Sequence, residues 1–410
     1  MTQTDNQEDS LIANIDHIKQ VNTASIYKVI EKNAPISRVK IAKISKLAPA
    51  SVTKITRQLL EKGIICETAI QASTGGRCAI SLAPNIDNIH VLAVKIGQKT
   101  LSLSCYNLAA QQLSTSEITI KAEDQRQLLD LLFTSINCFI IKQKKQDQTI
   151  AAISLSLSGL IDPQKGIVVY SPYYPLVNFP LAATIEQRFS LPTFIGNHTR
   201  SLALAEHYFG ASKDCLDSIL ISIHHGVGSG IIINGKPLLG QHFNIGEIGH
   251  IQANPAGKRC HCGNFGCLET EVSDSVIIEK VRKAIKQGCH SALNLESLNI
   301  EKIYQAAADN DPLCRKIVEE AATYLGKTIA ILINIFNPQK IIIAGKISAA
   351  QTKLLSPIEQ CIAYQVLPNF QNKVHIETSL LKQESTLAAF SLLKQAIYEG
   401  DLLQRMTPHS

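Results

Sequence analysis

Between residues 22 and 63 the apolar positions recur at helical spacing in three short runs. In the first, residues 23–32, Ile26, Val29 and Ile30 share a face, and Pro35 ends the run. Ser37 stands where a helix N-cap would, ahead of Val39, Ile41, Ala42 and Ile44. Leu47 and Ala48 form a turn, and Pro49 suits the first position of a third helix, where its missing N–H is harmless. That helix turns Val52, Ile55 and Leu59 inward and stops at Gly63. From residue 64 to 82 the pattern changes to alternation about Gly75-Gly76-Arg77, which predicts two strands joined by a glycine turn.

After Ile89 apolar strands alternate with helices. Strands are expected at 91–96, 101–106, 150–157, 219–223, 230–233 and 340–344, and helices near 125–142, 181–189, 201–208, 273–286, 312–336 and 385–398. Such alternation predicts an α/β architecture with ligands at the ends of strands.

Length and charge sharpen this picture. A chain of 410 residues suggests two or three domains. From His17 to Cys78 there are eleven Lys or Arg against three Asp or Glu, a net of +8, while the whole chain carries +6. A basic head on a nearly balanced body points to a polyanion partner for the head alone. No apolar run approaches the roughly 20 residues of a membrane span, so no membrane insertion is expected. The first ten residues are polar and acidic, lack a secretory layout, and read as a disordered tail. The eleven cysteines are an odd number and mostly isolated in apolar segments, which suits buried thiols in a reducing cytoplasm.

Two short helices joined by a tight turn describe a helix-turn-helix, and the glycine-tipped strands behind it describe a wing. The outward face of the second helix offers Ser51, Thr53, Lys54, Arg57 and Gln58 to a major groove, and Arg77 at the wing tip suits a narrow minor groove. A small helical protein-binding domain would share the helical pattern; the clustered charge and the wing favour DNA.

In the body, Gly226-Val227-Gly228-Ser229-Gly230 joins two strands rather than opening a helix, so it is no dinucleotide fingerprint. Its glycines suit either a phosphate approaching the backbone or a plain hairpin. His250, Cys260, Cys262 and Cys267 offer one imidazole and three thiolates within a glycine-rich span, enough to close a tetrahedral zinc site. With all four positions filled by protein, such a zinc is structural. His261 fits less well by spacing. Glu247 and Glu269 flank these ligands, where they could accept hydrogen bonds from sugar hydroxyls or serve as ordinary surface acids.

The stretches Gly246-Glu247-Ile248-Gly249-His250 and Cys260-His261-Cys262-Gly263-Asn264-Phe265-Gly266-Cys267-Leu268-Glu269 resemble the central motif of the ROK family of repressors and sugar kinases. The head, Leu47 through Leu59 and Gln71 through Arg77, resembles the family's amino-sugar repressors, as does Arg200 through Gly210. The resemblance implies a winged helix-turn-helix followed by a two-lobed, actin-like, ribonuclease-H-like body with a structural zinc loop. The expected division is a tail at 1–16, a head at 17–82, a small lobe at 83–195 with the helix near 385–398 packing back on it, and a large lobe at 196–384. By resemblance Gly159, Asn178, Asn197, Glu247, His250 and Glu269 line a sugar site, and His198 beside them would favour a 6-phosphate. The kinases of the family carry an Asp where Lys95 and His198 stand here, so no phosphoryl transfer is expected. Further departures are Ser158 for Pro, Phe179 for Trp, His242-Phe243 for smaller or more polar residues, and Cys78 for a second wing Arg. The implied function is a sugar-phosphate-responsive repressor of amino-sugar uptake and catabolism genes. It would act as a dimer or tetramer on a palindromic, A·T-rich operator, and N-acetylglucosamine 6-phosphate would release it. A repressor controlled by a sugar-transporter partner, an active sugar kinase, and a purely structural DNA-binding protein are the alternatives.

Overall fold

The computed structural model describes residues 5–68, 80–240, 245–371, 373–381 and 385–406, with side chains from residue 16 onward. The chain divides into two units: the first comprises residues 1–197 and 389–410, the second 198–388.

The first unit opens with α1 (Asp5–Asn33), α2 (Arg38–Ser45) and α3 (Pro49–Glu61). Helix α1 begins well before residue 23 and takes in residues 5–16, which the sequence suggested as a disordered tail. No Pro or Gly interrupts the chain before Pro35, so nothing stops the helix from extending. The Ser37 hydroxyl accepts from the Lys40 amide at 3.4 Å, and Pro49 occupies the first turn of α3, as expected. In α2 the outcome differs: only Ile41 is buried, while Val39 is 79% and Ile44 51% exposed. An eight-residue helix has one inward stripe, and Ile41 fills it. Val52, Ile55 and Leu59 of α3 are buried as predicted. Strands β1 (Ile36–Ser37), β2 (Ile65–Thr68) and β3 (Ser81–Pro84) pair antiparallel in the order β1-β3-β2. The tip between β2 and β3, with Arg77 and Cys78, lies outside the described residues.

The rest of the first unit is built on a five-stranded sheet. Strands β4 (His90–Ile96), β5 (Thr100–Asn107) and β6 (Gln112–Thr119) form an antiparallel meander. After α4 (Gln125–Lys144), β7 (Ile150–Leu157) returns parallel to β4. A small sheet follows, of β8 (Leu160–Asp162), β9 (Ile167–Tyr170) and β10 (Val177–Phe179). Helix α5 (Leu181–Phe189) then leads to β11 (Thr193–Asn197), parallel to β7. Leu128, Leu132 and Ile136 of α4 pack on Leu92, Val94, Leu101, Leu103 and Leu155 to form the core.

The second unit repeats this plan. Helix α6 (His198–Phe209) precedes an antiparallel meander of β12 (Ser218–Ile223), β13 (Val227–Ile233) and β14 (Lys236–Pro237). The zinc-type loop, α7 (Glu269–Val272), α8 (Asp274–Lys286), α9 (Ile300–Ala308) and the long α10 (Pro312–Phe336) come next. Strand β15 (Lys340–Ala344) pairs parallel with β12. It is followed by α11 (Gln351–Gln365), α12 (Pro368–Gln371) and β16 (His375–Thr378), the last parallel to β15. Asp311 caps α10 by accepting from the Cys314 amide at 2.9 Å, Pro312 sits at its start, and left-handed Asn337 ends it.

Strand β13 begins at Val227 rather than near Gly230, so the predicted glycine turn shrinks to His224–Gly226. Gly230 belongs to the strand because α6 lies against it: a Cβ there would sit 2.5 Å from the Ala203 Cβ. The chain ends in α13 (Leu387–Glu399) and α14 (Asp401–Arg405). Both α9 and α11 escaped the sequence pattern. Among the described residues, no helix is long and apolar enough to cross a membrane.

Candidate functional site

On the head, Ser51, Thr53, Lys54 and Arg57 are exposed and Gln58 is half-buried. Ala50, Thr53, Lys54, Arg57, Gln58 and Glu61 line one concave surface along α3. The Thr53 hydroxyl donates to the Pro49 carbonyl at 2.9 Å, so its proton is committed within the helix and its oxygen can act only as an acceptor while that bond holds. Behind the helix, Arg38 donates to the Thr56 hydroxyl at 3.1 Å and pairs with Glu67 at 3.3 Å, so α2, α3 and β2 hold one another. The cationic face of α3 is thus presented by a rigid support, as a groove-reading helix requires.

In the second unit His250, Cys260, Cys262 and Cys267 bring one donor atom each to within 4.8 Å of all the others. The Cys262 and Cys267 sulfurs are 3.7 Å apart, and the Cys260 sulfur is 3.6 Å from Nδ1 of His250. Zinc bonds of about 2.3 Å to sulfur and about 2.0 Å to nitrogen give tetrahedral edges of about 3.5–3.8 Å, so the cluster has the dimensions of a zinc site. As a free thiol, Cys267 is pushed up to about 12 by burial, whereas the Asn264 amide draws Cys262 down. A central cation would favour thiolates at both.

A second group, Cys260, His261 and Glu269, shares Cys260. It offers a single sulfur; Nδ1 of His261 lies 3.8 Å from that sulfur and 3.3 Å from Oε1 of Glu269. The loop reaches its shape through Gly266, in the left-handed region at φ +61°, where a Cβ would lie 1.5 Å from the Asn254 carbonyl oxygen. The Ala253 and Asn254 amides both donate to the Gly266 carbonyl, and Lys280 anchors Glu271 below at 3.1 Å.

Glu269 is held from both sides: Oε1 faces His261, and Oε2 accepts from the Val227 amide at 3.1 Å. A Cβ at Gly226 would lie 2.6 Å from that Oε2. The glycine turn therefore makes room for the protein's own carboxylate. Glu247 precedes the 3-10 turn Ile248–His250 and is exposed. Arg200 donates to the Ile245 carbonyl at 3.1 Å; burial lowers its pKa, and the Glu247 charge opposes that. His198 opens α6, two residues before Arg200.

In the first unit, Asn197 ends β11 and donates to the Gly159 carbonyl at 2.9 Å. Asn178 is exposed, with φ +48°. Lys95 is half-buried in β4. Tyr174 donates its hydroxyl to the Gly97 and Gln98 carbonyls at 2.7 and 3.1 Å, tying down the β4–β5 turn. His242 and Phe243 lie outside the described residues. Of the predicted sugar-site residues, His198, Glu247, His250 and Glu269 belong to the second unit, and Gly159, Asn178 and Asn197 to the first.

Sequence reasoning missed Arg200 as a neighbour of Glu247, and it missed the buried Asp274. One Asp274 oxygen meets Nδ1 of His224 at 2.9 Å and the other accepts from the Tyr304 hydroxyl at 3.0 Å, bracing the glycine turn from behind. These partners are 30 and 50 residues apart in the chain, beyond any local pattern.

Residues 91–396 match the family described as ROK, and residues 23–65 match the winged helix-turn-helix DNA-binding family. The chain belongs to the ROK family. This ROK chain is 45% identical over 395 residues to the DNA-binding transcriptional dual regulator NagC of Escherichia coli (strain K12), covering 96% of this chain and 97% of that one. It is 34% identical over 394 residues to the DNA-binding transcriptional repressor Mlc of the same strain, covering 96% and 97%. A crystal structure of a ROK family transcriptional regulator, a homologue of the E. coli Mlc protein, superposes with a TM-score of 0.90 at 42% identity, over 95% of this chain and 99% of that chain. The body is therefore the actin-like ROK fold, and the head is its winged helix-turn-helix.

Proposed function

We infer that this chain is a sugar-responsive, DNA-binding transcriptional repressor. The observation that carries this is the 45% identity to a DNA-binding regulator along nearly the whole of both chains, head and body together. The specific reading is a repressor of amino-sugar uptake and catabolism genes, released from its operator by N-acetylglucosamine 6-phosphate. Support for this comes from relatives named N-acetylglucosamine repressor and from the site residues. Glu247 and Glu269 would accept the sugar hydroxyls, with Gly159, Asn178 and Asn197 as further contacts, and His198 would face the phosphate.

Zinc held by His250, Cys260, Cys262 and Cys267 would have a structural role. It leaves no open coordination position, and it fixes the loop that carries Glu269. Free thiols of this kind persist in a reducing cytoplasm, where the protein would act.

Paired heads of a dimer, or a dimer of dimers, would present α3 to successive major grooves of a palindromic, A·T-rich operator. Ser51, Thr53, Lys54, Arg57 and Gln58 would make the groove contacts, and Arg77 the wing contact. No kinase activity is expected. Phosphoryl transfer needs metal-nucleotide positioning and an oriented nucleophile, and Lys95 and His198 offer no carboxylate for either task. Effector release requires tighter sugar binding to the conformation that does not hold the operator, with a coupling of about 1–3 kcal/mol.

The test is fluorescence anisotropy on an A·T-rich palindrome at fixed salt, with and without N-acetylglucosamine 6-phosphate. Release on adding the sugar phosphate supports the reading. Tight DNA binding that ignores the sugar phosphate would reject this effector and turn attention to other sugars or a protein partner.

A further inference from the structure

Within the second unit, the first turn of α6 and the segment that leads into Glu247 are both mounted on strand β13. Gly230 seats the helix. A Cβ there would lie 3.1 Å from the Thr199 carbonyl oxygen and 3.2 Å from the Arg200 Cα, so a side chain at this position would push the turn away. Gly246 seats the segment. It adopts φ +95°, where a Cβ would lie 2.6 Å from the Ser229 carbonyl oxygen. Its own carbonyl accepts from the Ser229 amide at 2.9 Å and from the Ser229 hydroxyl at 3.0 Å.

Arg200 bridges the two mounts. It is half-buried, and its guanidinium donates to the Ile245 carbonyl at 3.1 Å, two residues before Glu247. A fixed cation is thus set beside an exposed carboxylate. Burial lowers the Arg200 pKa and the Glu247 charge opposes that, so the two groups act on one another. Bracing one carbonyl does not call for a charge. A neutral amide would donate to it as well, without the desolvation cost of a half-buried guanidinium.

The charge has a use once a ligand is considered. Glu247 and Glu269 are the two carboxylates assigned to sugar hydroxyls, and of these Glu269 already has the His261 imidazole 3.3 Å from Oε1. Two carboxylates suit hydroxyl donors but repel an anion, and a phosphate monoester carries about −1.5 to −2 charges at pH 7. Such a ligand is admitted only where positive charge is already in place. An imidazole is mostly neutral at pH 7, whereas a guanidinium stays charged and its planar fork matches phosphate oxygens.

We propose that Arg200 sets the preference of this site for a phosphorylated sugar over the neutral one: fixed on the Ile245 carbonyl, it offsets the carboxylate charge and meets the ligand's phosphate from the first turn of α6. This rests on the reading of the site as an effector site for a sugar phosphate.

The test is calorimetry on the full-length chain at fixed salt and pH. The ligands are N-acetylglucosamine 6-phosphate and unphosphorylated N-acetylglucosamine, and the proteins are wild type, Arg200→Gln and Arg200→Lys. Wild type is expected to favour the phosphorylated sugar by about 100-fold. Arg200→Gln keeps an N–H for the Ile245 carbonyl and removes the charge. It should bind the phosphorylated sugar about 100-fold more weakly and the neutral sugar only slightly more weakly, so that the preference nearly vanishes. Arg200→Lys restores the charge without the fork and should recover about tenfold of the loss.

Equal losses for both sugars in the Gln variant would make Arg200 a mere brace of residues 245–247, and would overturn the proposal. A Gln variant with the wild-type preference, or a Lys variant no better than Gln, would do the same. So would a wild type that binds both sugars equally well. A wild type that binds neither sugar removes the effector reading and this proposal with it, before any variant is compared, which separates the two failures. Retained binding of the neutral sugar shows that a variant is folded at the site.

Discussion

The two five-stranded sheets share one plan: an antiparallel meander, then two strands added in parallel on the far side of its first strand. They differ in what secures the first hairpin. In the first unit the β4–β5 turn is held by a neutral group, the Tyr174 hydroxyl, on the Gly97 and Gln98 carbonyls. In the second the β12–β13 turn is held by a charged one, Glu269, on the Val227 amide, with Asp274 and His224 behind. The first arrangement is self-contained, whereas the second depends on a loop whose shape rests on four would-be metal ligands. Sensitivity to metal is therefore expected in the second sheet and not in the first.

The largest effect should come from Cys267→Ser, which removes a fully buried donor of the cluster. Structural zinc contributes on the order of 10 kcal/mol to small zinc domains. Hydrogen exchange should accelerate across residues 252–272 and at Val227, while β4 and β7 keep their protection. Equal acceleration in both sheets would break the comparison.

Next is Gly249→Ala. The new Cβ would lie 2.2 Å from the Val227 carbonyl oxygen, a backbone atom, at a cost of about 2–4 kcal/mol. Urea unfolding followed by a probe in the second unit should show it, with little change in the first.

Glu269→Gln keeps an oxygen for the Val227 amide but loses the charge. Sugar-phosphate affinity by calorimetry should fall about 10- to 100-fold, with zinc content unchanged. Unaltered affinity would take Glu269 out of the sugar site.

The smallest effect is expected from Tyr174→Phe, about 1 kcal/mol on the first unit and none on zinc or sugar. Burial raises the Tyr174 pKa to about 12 from an ordinary value near 10. The neutral phenol is the form the fold favours, so this stabilisation is complete below about pH 10 and is lost as pH rises toward 12. In the Phe variant that alkaline loss should shrink.

Much of this was legible in the sequence because the signals are local. The N-cap at Ser37, the Pro at the start of α3, and the bounds of α5 and α10 all follow from a few neighbouring residues. So does the cysteine spacing that brings four donors together. What escaped is set by packing between distant segments. Gly228 and Gly230 look like turn residues until α6 is seen lying on β13. Val39 and Ile44 look like core until α2 is seen to have room for a single inward stripe. The pairing of Arg200 with the segment before Glu247 spans 45 residues, and that of Glu31 with Lys394 spans 363. Periodicity cannot report contacts of that range.

Helix α6 carries two kinds of residue in twelve positions. Its first turn holds His198 and Arg200, both only half-buried, whereas Ser201 through Glu206 are buried without exception against β12 and β13. The opening turn can change its chemistry at little cost to the fold, while the following six residues admit almost no change of volume. Under the proposed reading, a lineage built on this scaffold has an adjustable edge on a fixed beam: its effector can drift by one or two substitutions in the first turn, and the beam that aims them stays in place.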